Sequence, residues 1–191
     1  MAYQHFKIFK PYGYLSQFTN NQNTRRNKKL LGELHDFPPG TMAIGRLDET
    51  SEGLLLLTTN GIISEQVRSK KVEKEYYVQV DGLITAKAVK KLQSGIEISI
   101  NGRNYTTLPC KVGVLPYPPS FPERGKKIRD ERHGPTSWIS ITLVEGKYRQ
   151  VRKMTAAVGF PTLRLVRVRI GEETLEKLLP GEMKNVKNFL L

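Results

Sequence analysis

An α+β fold with a mixed, mainly antiparallel sheet is what this sequence predicts. Three observations lead there. Strand-like and helix-like stretches alternate irregularly, with hairpin signals between them and no long run of βα units. "IEISINGRNYTT" (96–107) alternates Ile96, Ile98 and Ile100 and then reaches Asn101-Gly102, a pair suited to a type I′ hairpin turn. Four consecutive leucines, Leu54–Leu57, are bounded by turn signals and read as a buried strand. At 191 residues and 38% hydrophobic, the chain can bury one sizeable core or two small subdomains.

The elements follow in order. "HFKIFKPYGYLSQFT" reads as strand, turn, strand: Phe6 and Ile8 share a face, and Pro11-Tyr12-Gly13 makes the turn. Residues 20–29, "NNQNTRRNKK", hold no apolar anchor and read as a surface loop. "KLLGELHDFPPG" reads as a short helix stopped by Pro38-Pro39-Gly40. "TMAIGRLD" is a short strand that runs into a loop bracketed by Gly45 and Gly53, ahead of the leucine strand. Ile62, Ile63, Gln66 and Val67 have helical spacing. "KEYYVQVDG" alternates, with Tyr76, Val78 and Val80 on one face. "TAKAVKKLQSG" is a helix with Thr85 as N-cap and Gly95 past its end.

Residues 109–135 hold six of the eleven prolines together with Arg124, Lys126, Lys127, Arg129 and Arg132, and read as a long functional loop. "TSWISITLVEGK" is a strand. "RQVRKMTAAVG" is an amphipathic helix with Val151, Met154 and Val158 as its apolar stripe, and Arg149, Arg152 and Lys153 at i, i+3, i+4 spacing. "TLRLVRVRIG" is a strand that mixes arginine with core residues, and "TLEKLLPGE" a last short helix. The first ten residues lack the apolar core of a signal peptide, and no apolar run reaches the length of a membrane span.

Composition narrows the function. Lysine and arginine number 31 against 18 acidic residues, a net charge of +13 and a pI near 9.9. Such a field attracts polyanions, nucleic acid first. One cysteine, Cys110, excludes an internal disulfide and fits a reducing cytoplasm. Three scattered histidines and no carboxylate cluster give no metal site. Walker, G-x-S-x-G and G-x-G-x-x-G motifs are absent, so no cofactor is expected.

What remains is "GRLDETSEGLLLLTTNG" (45–61), with Asp48 at the mouth of an apolar strand. The carboxylate suits a nucleophile or base acting at an electrophilic carbon, or a turn cap. Half-buried against leucines it needs a cation nearby, and Arg46 and the Arg149/Arg152/Lys153 group are candidates. Tyr76 reads as a core ring, or as a ring on which a nucleobase stacks.

These residues carry a resemblance. "GRLDETSEGLL" is similar to the G-R-L-D-x-x-[ST]-x-G-L-L motif of the pseudouridine synthases that modify ribosomal RNA. The branch meant is the one with types A, B, E and F, of which the first modifies the smaller ribosomal RNA and the others the larger. "FKIFKPYGYLSQFT", "KEYYV", "LVEGKYRQVRKMTAAVGFPTLRLVRVRIG" and "LLPGE" resemble the family's other segments in order and spacing, over nearly the whole chain. "YLSQFT" and "PTSWISITLVEG" resemble most the E type of 23S rRNA. An S4-type RNA-binding domain, present in many of that branch, is not expected here. The residue before Gln150 is often a histidine in relatives and is Arg149 here.

The resemblance implies a pseudouridine synthase fold, with residues 1–191 forming one catalytic domain. Its two α+β subdomains would divide near 60–75, the chain crossing back late, and flank a cleft with Asp48 on its floor. It implies conversion of a uridine to pseudouridine by base flipping, without metal or cofactor. Asp48 would be the catalytic aspartate. Tyr76 would stack on the base, Arg152 would pair with Asp48, and Arg46 would fill the gap left by the flipped nucleotide. Contacts to 23S ribosomal RNA, at a stem-loop, are expected from Lys10, Arg46, Arg124, Lys126, Lys127, Arg129, Lys147, Arg149, Lys153, Arg164 and Arg167. The chain is expected to be a cytoplasmic monomer that does not bind membranes. The alternatives are a synthase acting on another RNA such as tRNA, and a non-catalytic RNA-binding or ribosome-assembly factor.

Overall fold

The computed structural model describes residues 2–19, 27–69 and 72–191. Most of the loop expected at 20–29 lies outside the described residues. The chain divides into two compact units. The first holds Met1–Val72, Pro122–Lys126 and Val166–Leu191; the second holds Glu73–Phe121 and Lys127–Leu165.

In the first unit, β1 (His5–Lys10), β2 (Met42–Ile44) and β3 (Glu52–Thr58) precede α1 (Gly61–Ser69). β3 pairs antiparallel with both β1 and β2, Ile8 lying opposite Leu55 and Ile44 opposite Leu56. All seven β3 residues are buried. Alternation sends Leu55 and Leu57 into a cluster with Phe6, Ile8 and Leu31, closed by Phe18, Leu34 and Phe37. The four leucines of the sequence are therefore one strand covered on both faces.

The second unit is built on β4 (Lys74–Asp81), α2 (Ala86–Ser94), the hairpin of β5 (Glu97–Ile100) and β6 (Arg103–Thr106), β7 (Lys111–Val114), β8 (Thr136–Leu143) and α3 (Gln150–Ala157). β8 lies between β4 and β7, antiparallel to each. Val78, Val80, Leu92, Ile139, Ile141, Val151 and Met154 form its core. Thr85 caps α2, its hydroxyl accepting from the Ala88 N–H at 3.2 Å. Asn101 and Gly102 both have positive φ, 50° and 77°, as a type I′ turn requires.

β9 (Thr162–Ile170) begins in the second unit and ends in the first. In the first unit it runs parallel to β3, with Gly53 opposite Arg167. β10 (Glu173–Thr174) folds back on β9, and β11 (Met183–Val186) pairs with β1.

Four expectations are corrected. The helix at 29–40 is only a single 3₁₀ turn, Leu31–Glu33. The strand after the Pro11-Tyr12-Gly13 turn is reduced to one bridge, Tyr14 with Lys29. No helix forms at 174–182: Glu176 is held at φ 53° and its carboxylate pairs with Lys7, so the backbone turns left-handed where a helix would need to continue. The 109–135 stretch is not all loop, because Val112 is buried and Lys111–Val114 completes the β8 sheet. Among the described residues no helix is long and apolar enough to cross a membrane.

Candidate active site

Asp48 sits in the loop between β2 and β3, where side chains alternate in exposure. Arg46 is exposed, Leu47 is buried and Asp48 is half-buried. Leu47 is held twice by Ser16, whose hydroxyl donates to the Leu47 carbonyl at 2.8 Å and accepts from its N–H at 2.9 Å. The Asp48 carbonyl accepts from the Ser51 N–H at 3.0 Å, and the Glu49 carbonyl from the Gly13 N–H at 2.8 Å. Lys28 forms an ion pair with Glu49. The loop is thus fixed on both sides of Asp48 before any side-chain contact of the carboxylate is considered.

Below the loop, Gly53 has φ +107°, and a Cβ there would lie 2.3 Å from the Arg167 carbonyl oxygen and 2.7 Å from its nitrogen. Only glycine allows β9 to approach so closely. Arg167 is 4% exposed, and its Nε donates to the Leu54 carbonyl at 2.8 Å. Lys10 is fully buried and donates to the carbonyls of Pro11 (2.9 Å) and Tyr14 (2.7 Å). Burial pushes its ammonium down to about 7; the Arg167 charge adds to this, and Glu52, Asp48 and Glu49 act against it.

In the second unit, Tyr76 is partly buried on the β4 face that carries Val78 and Val80, and it packs against their core. Arg152 lies on α3 between buried Val151 and Met154 and is itself partly exposed. The start of α3 is held by polar side chains. Glu145 accepts from the Tyr105 hydroxyl, from the Leu108 N–H at 2.9 Å and from Gln150 Nε2 at 2.7 Å. Gln150 also accepts from the Lys147 N–H at 3.1 Å, and its own N–H donates to the Lys147 carbonyl at 3.1 Å. The hydrogen bond to Glu145 is the main cause that raises the Tyr105 hydroxyl above its ordinary value.

The expected RNA contacts separate into two groups. Arg46, Lys126, Lys127 and Lys147 are exposed. Arg124, Arg149 and Lys153 are partly exposed; Arg124 lies over the Tyr12 ring at 4.5 Å, within the first unit. Lys10, Arg164 and Arg167 are buried, Arg164 at 6% with its guanidinium 5.5 Å over Phe121, which sets them apart from the exposed cations. Arg129 binds Asp81 and the carbonyls of His133 and Pro135, which ties the 127–135 segment to the end of β4. Arg149 does not share a helical face with Arg152 and Lys153, because it precedes α3 in the left-handed region at φ 52°.

Ser16, Glu145 and Gln150 carry no role in the sequence analysis, although Glu145 and Gln150 lie in a segment that carries the resemblance. The visible signal for Glu145 and Gln150 is their spacing around the four residues 146–149. Among the described residues no group of three His, Cys, Asp or Glu could hold a metal ion. Cys110 is half-buried, and burial pushes its thiol up to about 11, which leaves it unreactive at neutral pH.

The sequence profile of RNA pseudouridylate synthases matches residues 4–157. The chain belongs to the RNA pseudouridine synthase family. It is 42% identical over 182 residues to the ribosomal large subunit pseudouridine synthase E of Vibrio parahaemolyticus, covering 93% of this chain and 71% of that one. It is 40% identical over 173 residues to the protein of the same name from Xanthomonas axonopodis pv. citri, covering 90% and 87%. A crystal structure of a pseudouridylate synthase superposes with a TM-score of 0.76 at 26% identity, covering 97% of this chain and 71% of that chain. The α+β fold with a mainly antiparallel sheet is therefore that of the family.

Proposed function

We propose that this synthase converts a specific uridine of 23S ribosomal RNA to pseudouridine, with Asp48 as its catalytic aspartate. The observation that carries the assignment of Asp48 is its loop: Leu47 is anchored in the core, Arg46 is exposed, and Asp48 is presented between pinned backbone atoms. The substrate rests on relatives of at least 40% identity that are named for the large ribosomal subunit. A cytoplasmic location goes with that substrate.

The reaction is an isomerisation. The N1–C1′ bond of the uridine breaks, the uracil turns, a C5–C1′ bond forms, and the C5 proton leaves as N1 gains one. No oxidant, reductant or energy source is consumed. Asp48 acts on the nucleoside during that exchange. Tyr76 and Arg152 take the roles the resemblance gives them, stacking on the base and keeping the aspartate ionised. A base inside a stem must first be extruded, at a cost of roughly a few kcal/mol. Arg46, exposed two residues before Asp48, offsets this by filling the gap.

The test is a pseudouridine map of 23S rRNA from cells that lack the gene, complemented with wild type or Asp48→Asn. One uridine should lose its modification and regain it only with wild type, the variant being slower on the order of a thousand-fold or more. Equal restoration by Asp48→Asn removes the catalytic assignment. A map that never changes removes 23S rRNA as substrate, and tRNA is then mapped in the same cells.

A further inference from the structure

We propose that Tyr148 is a stacking platform for an unpaired nucleobase of the bound RNA, pre-positioned by the Glu145–Gln150 clamp; this rests on the RNA-modifying function above.

Tyr148 is 65% exposed, a large apolar ring in water. It is not on a slack loop. Its predecessor Lys147 has both backbone groups bonded to Gln150, the N–H to the side chain and the carbonyl to the main chain. Its successor Arg149 is fixed in the left-handed region at φ 52°. Glu145 closes the base of the loop with three accepted hydrogen bonds. The ordering that a binding loop normally loses entropy to achieve is therefore already in place.

The surroundings select an anion with an aromatic face. Lys153 Nζ lies 5.2 Å from the Tyr148 ring centroid and is itself tied to the Ser99 carbonyl at 2.7 Å. Lys147 lies 4.8 Å over the neighbouring Tyr105 ring. Lys147 and Arg149 flank the ring in sequence and Lys153 lies against it, while the Glu145 carboxylate is occupied by its three donors. Cations that track phosphates, interleaved with an exposed aromatic ring, are the pattern of single-strand recognition, in which the ring takes a base irrespective of its identity. Tyr117 is more exposed, at 80%, but has prolines on both sides where Tyr148 has cations.

The experiment is binding of the full chain to a 23S rRNA transcript between 50 and 200 mM salt (a range in which each phosphate contact contributes to the slope). Tyr148→Ala should weaken binding by roughly five- to a hundred-fold, as loss of one stacked base does. The slope of log affinity against log salt should stay that of wild type, whereas Lys153→Ala should lower it by about one. Tyr148→Phe should bind within about two-fold of wild type. Tyr148→Leu, of similar bulk but without a π face, should bind as poorly as the alanine variant. Leucine or alanine binding like wild type overturns the proposal, as does an alanine variant whose salt slope falls with its affinity, since the ring would then only be placing charges. If wild type binds no transcript but binds tRNA, the substrate assignment fails, and the same four variants on tRNA decide the stacking separately.

Discussion

Asp48 rides on a loop whose neighbouring residue Leu47 is buried and whose ends are fixed by backbone bonds, whereas Tyr148 rides on a loop fixed by the side chains of Glu145 and Gln150. The first loop is held by what it buries. The second is held by hydrogen bonds close to solvent. Burial is intolerant: the interior is close-packed, so a change of one methyl group propagates into the strand beneath. A polar clamp near water is more forgiving, because water replaces a lost partner at modest cost. The loop that carries Asp48 is thus coupled to the stability of its unit, while the loop that carries Tyr148 can change with little effect on the fold.

Gly53→Ala should have the largest effect on the unit that carries Asp48. The new Cβ meets the Arg167 backbone at 2.3 Å under a φ of +107°, and no flexible side chain is there to yield. We expect a loss of about 3 kcal/mol or more, from overpacking and backbone strain together, read as a collapse of the denaturation midpoint. A midpoint near that of wild type would show that the β3–β9 approach does not secure the Asp48 loop.

A second test uses pH on the same unit. Lys10 titrates at about 7 in the folded chain, against 10.5 ordinarily. Between these values the unfolded chain binds the proton that the folded chain has released, so stability rises with pH, by up to about 1.4 kcal/mol per pH unit. Below pH 7 both states are protonated and the slope vanishes. Stability measured in denaturant at pH 7 and at pH 9.5 should therefore rise more in wild type than in Lys10→Met. Parallel changes would mean that Lys10 keeps its proton. The two carbonyls it serves would be satisfied by either form, since a neutral amine still donates two hydrogens.

The smallest effect on stability belongs to the other loop. Glu145→Ala should cost about 1–2 kcal/mol: Tyr105 and Leu108 lie where water can replace the carboxylate, and only the buried Gln150 amide is left without its acceptor. Its signature is local: the amides of Leu108 and Lys147 should exchange faster while those of β8 stay protected. Exchange unchanged at both would mean that the clamp does not order the loop.

The contrast also explains what was legible in the sequence. Leu54–Leu57, the Asn101-Gly102 turn and the Thr85 cap were readable because period, turn chemistry and capping act over a few residues. The place of Asp48 beside a core was readable because the leucines announce that core. The burial of Lys10, Arg164 and Arg167 was not, because nothing local distinguishes a lysine that meets phosphate from one that satisfies Pro11 and Tyr14. Glu145 was missed for the same reason: two of its partners, Tyr105 and Leu108, are 40 and 37 residues away in sequence. Glu176 misled because its helix-like neighbours carry no sign of the ion pair with Lys7, 169 residues distant, that goes with its left-handed turn.

The pairing of β3 with β9 also sets an order of events during synthesis. Leu54 receives its hydrogen bond from Arg167, 113 residues later in the chain. A ribosome adding roughly 5–20 residues per second needs on the order of ten seconds to cover that distance. The stretch from Glu73 to Pro161 is complete before β9 has been made, whereas the strand that supports Asp48 still lacks one neighbour. An unfinished chain therefore carries the aspartate on a loop beside the unpaired Glu52–Gly53 edge of β3, and the Asp48 unit is finished only once β9 to β11 have been added.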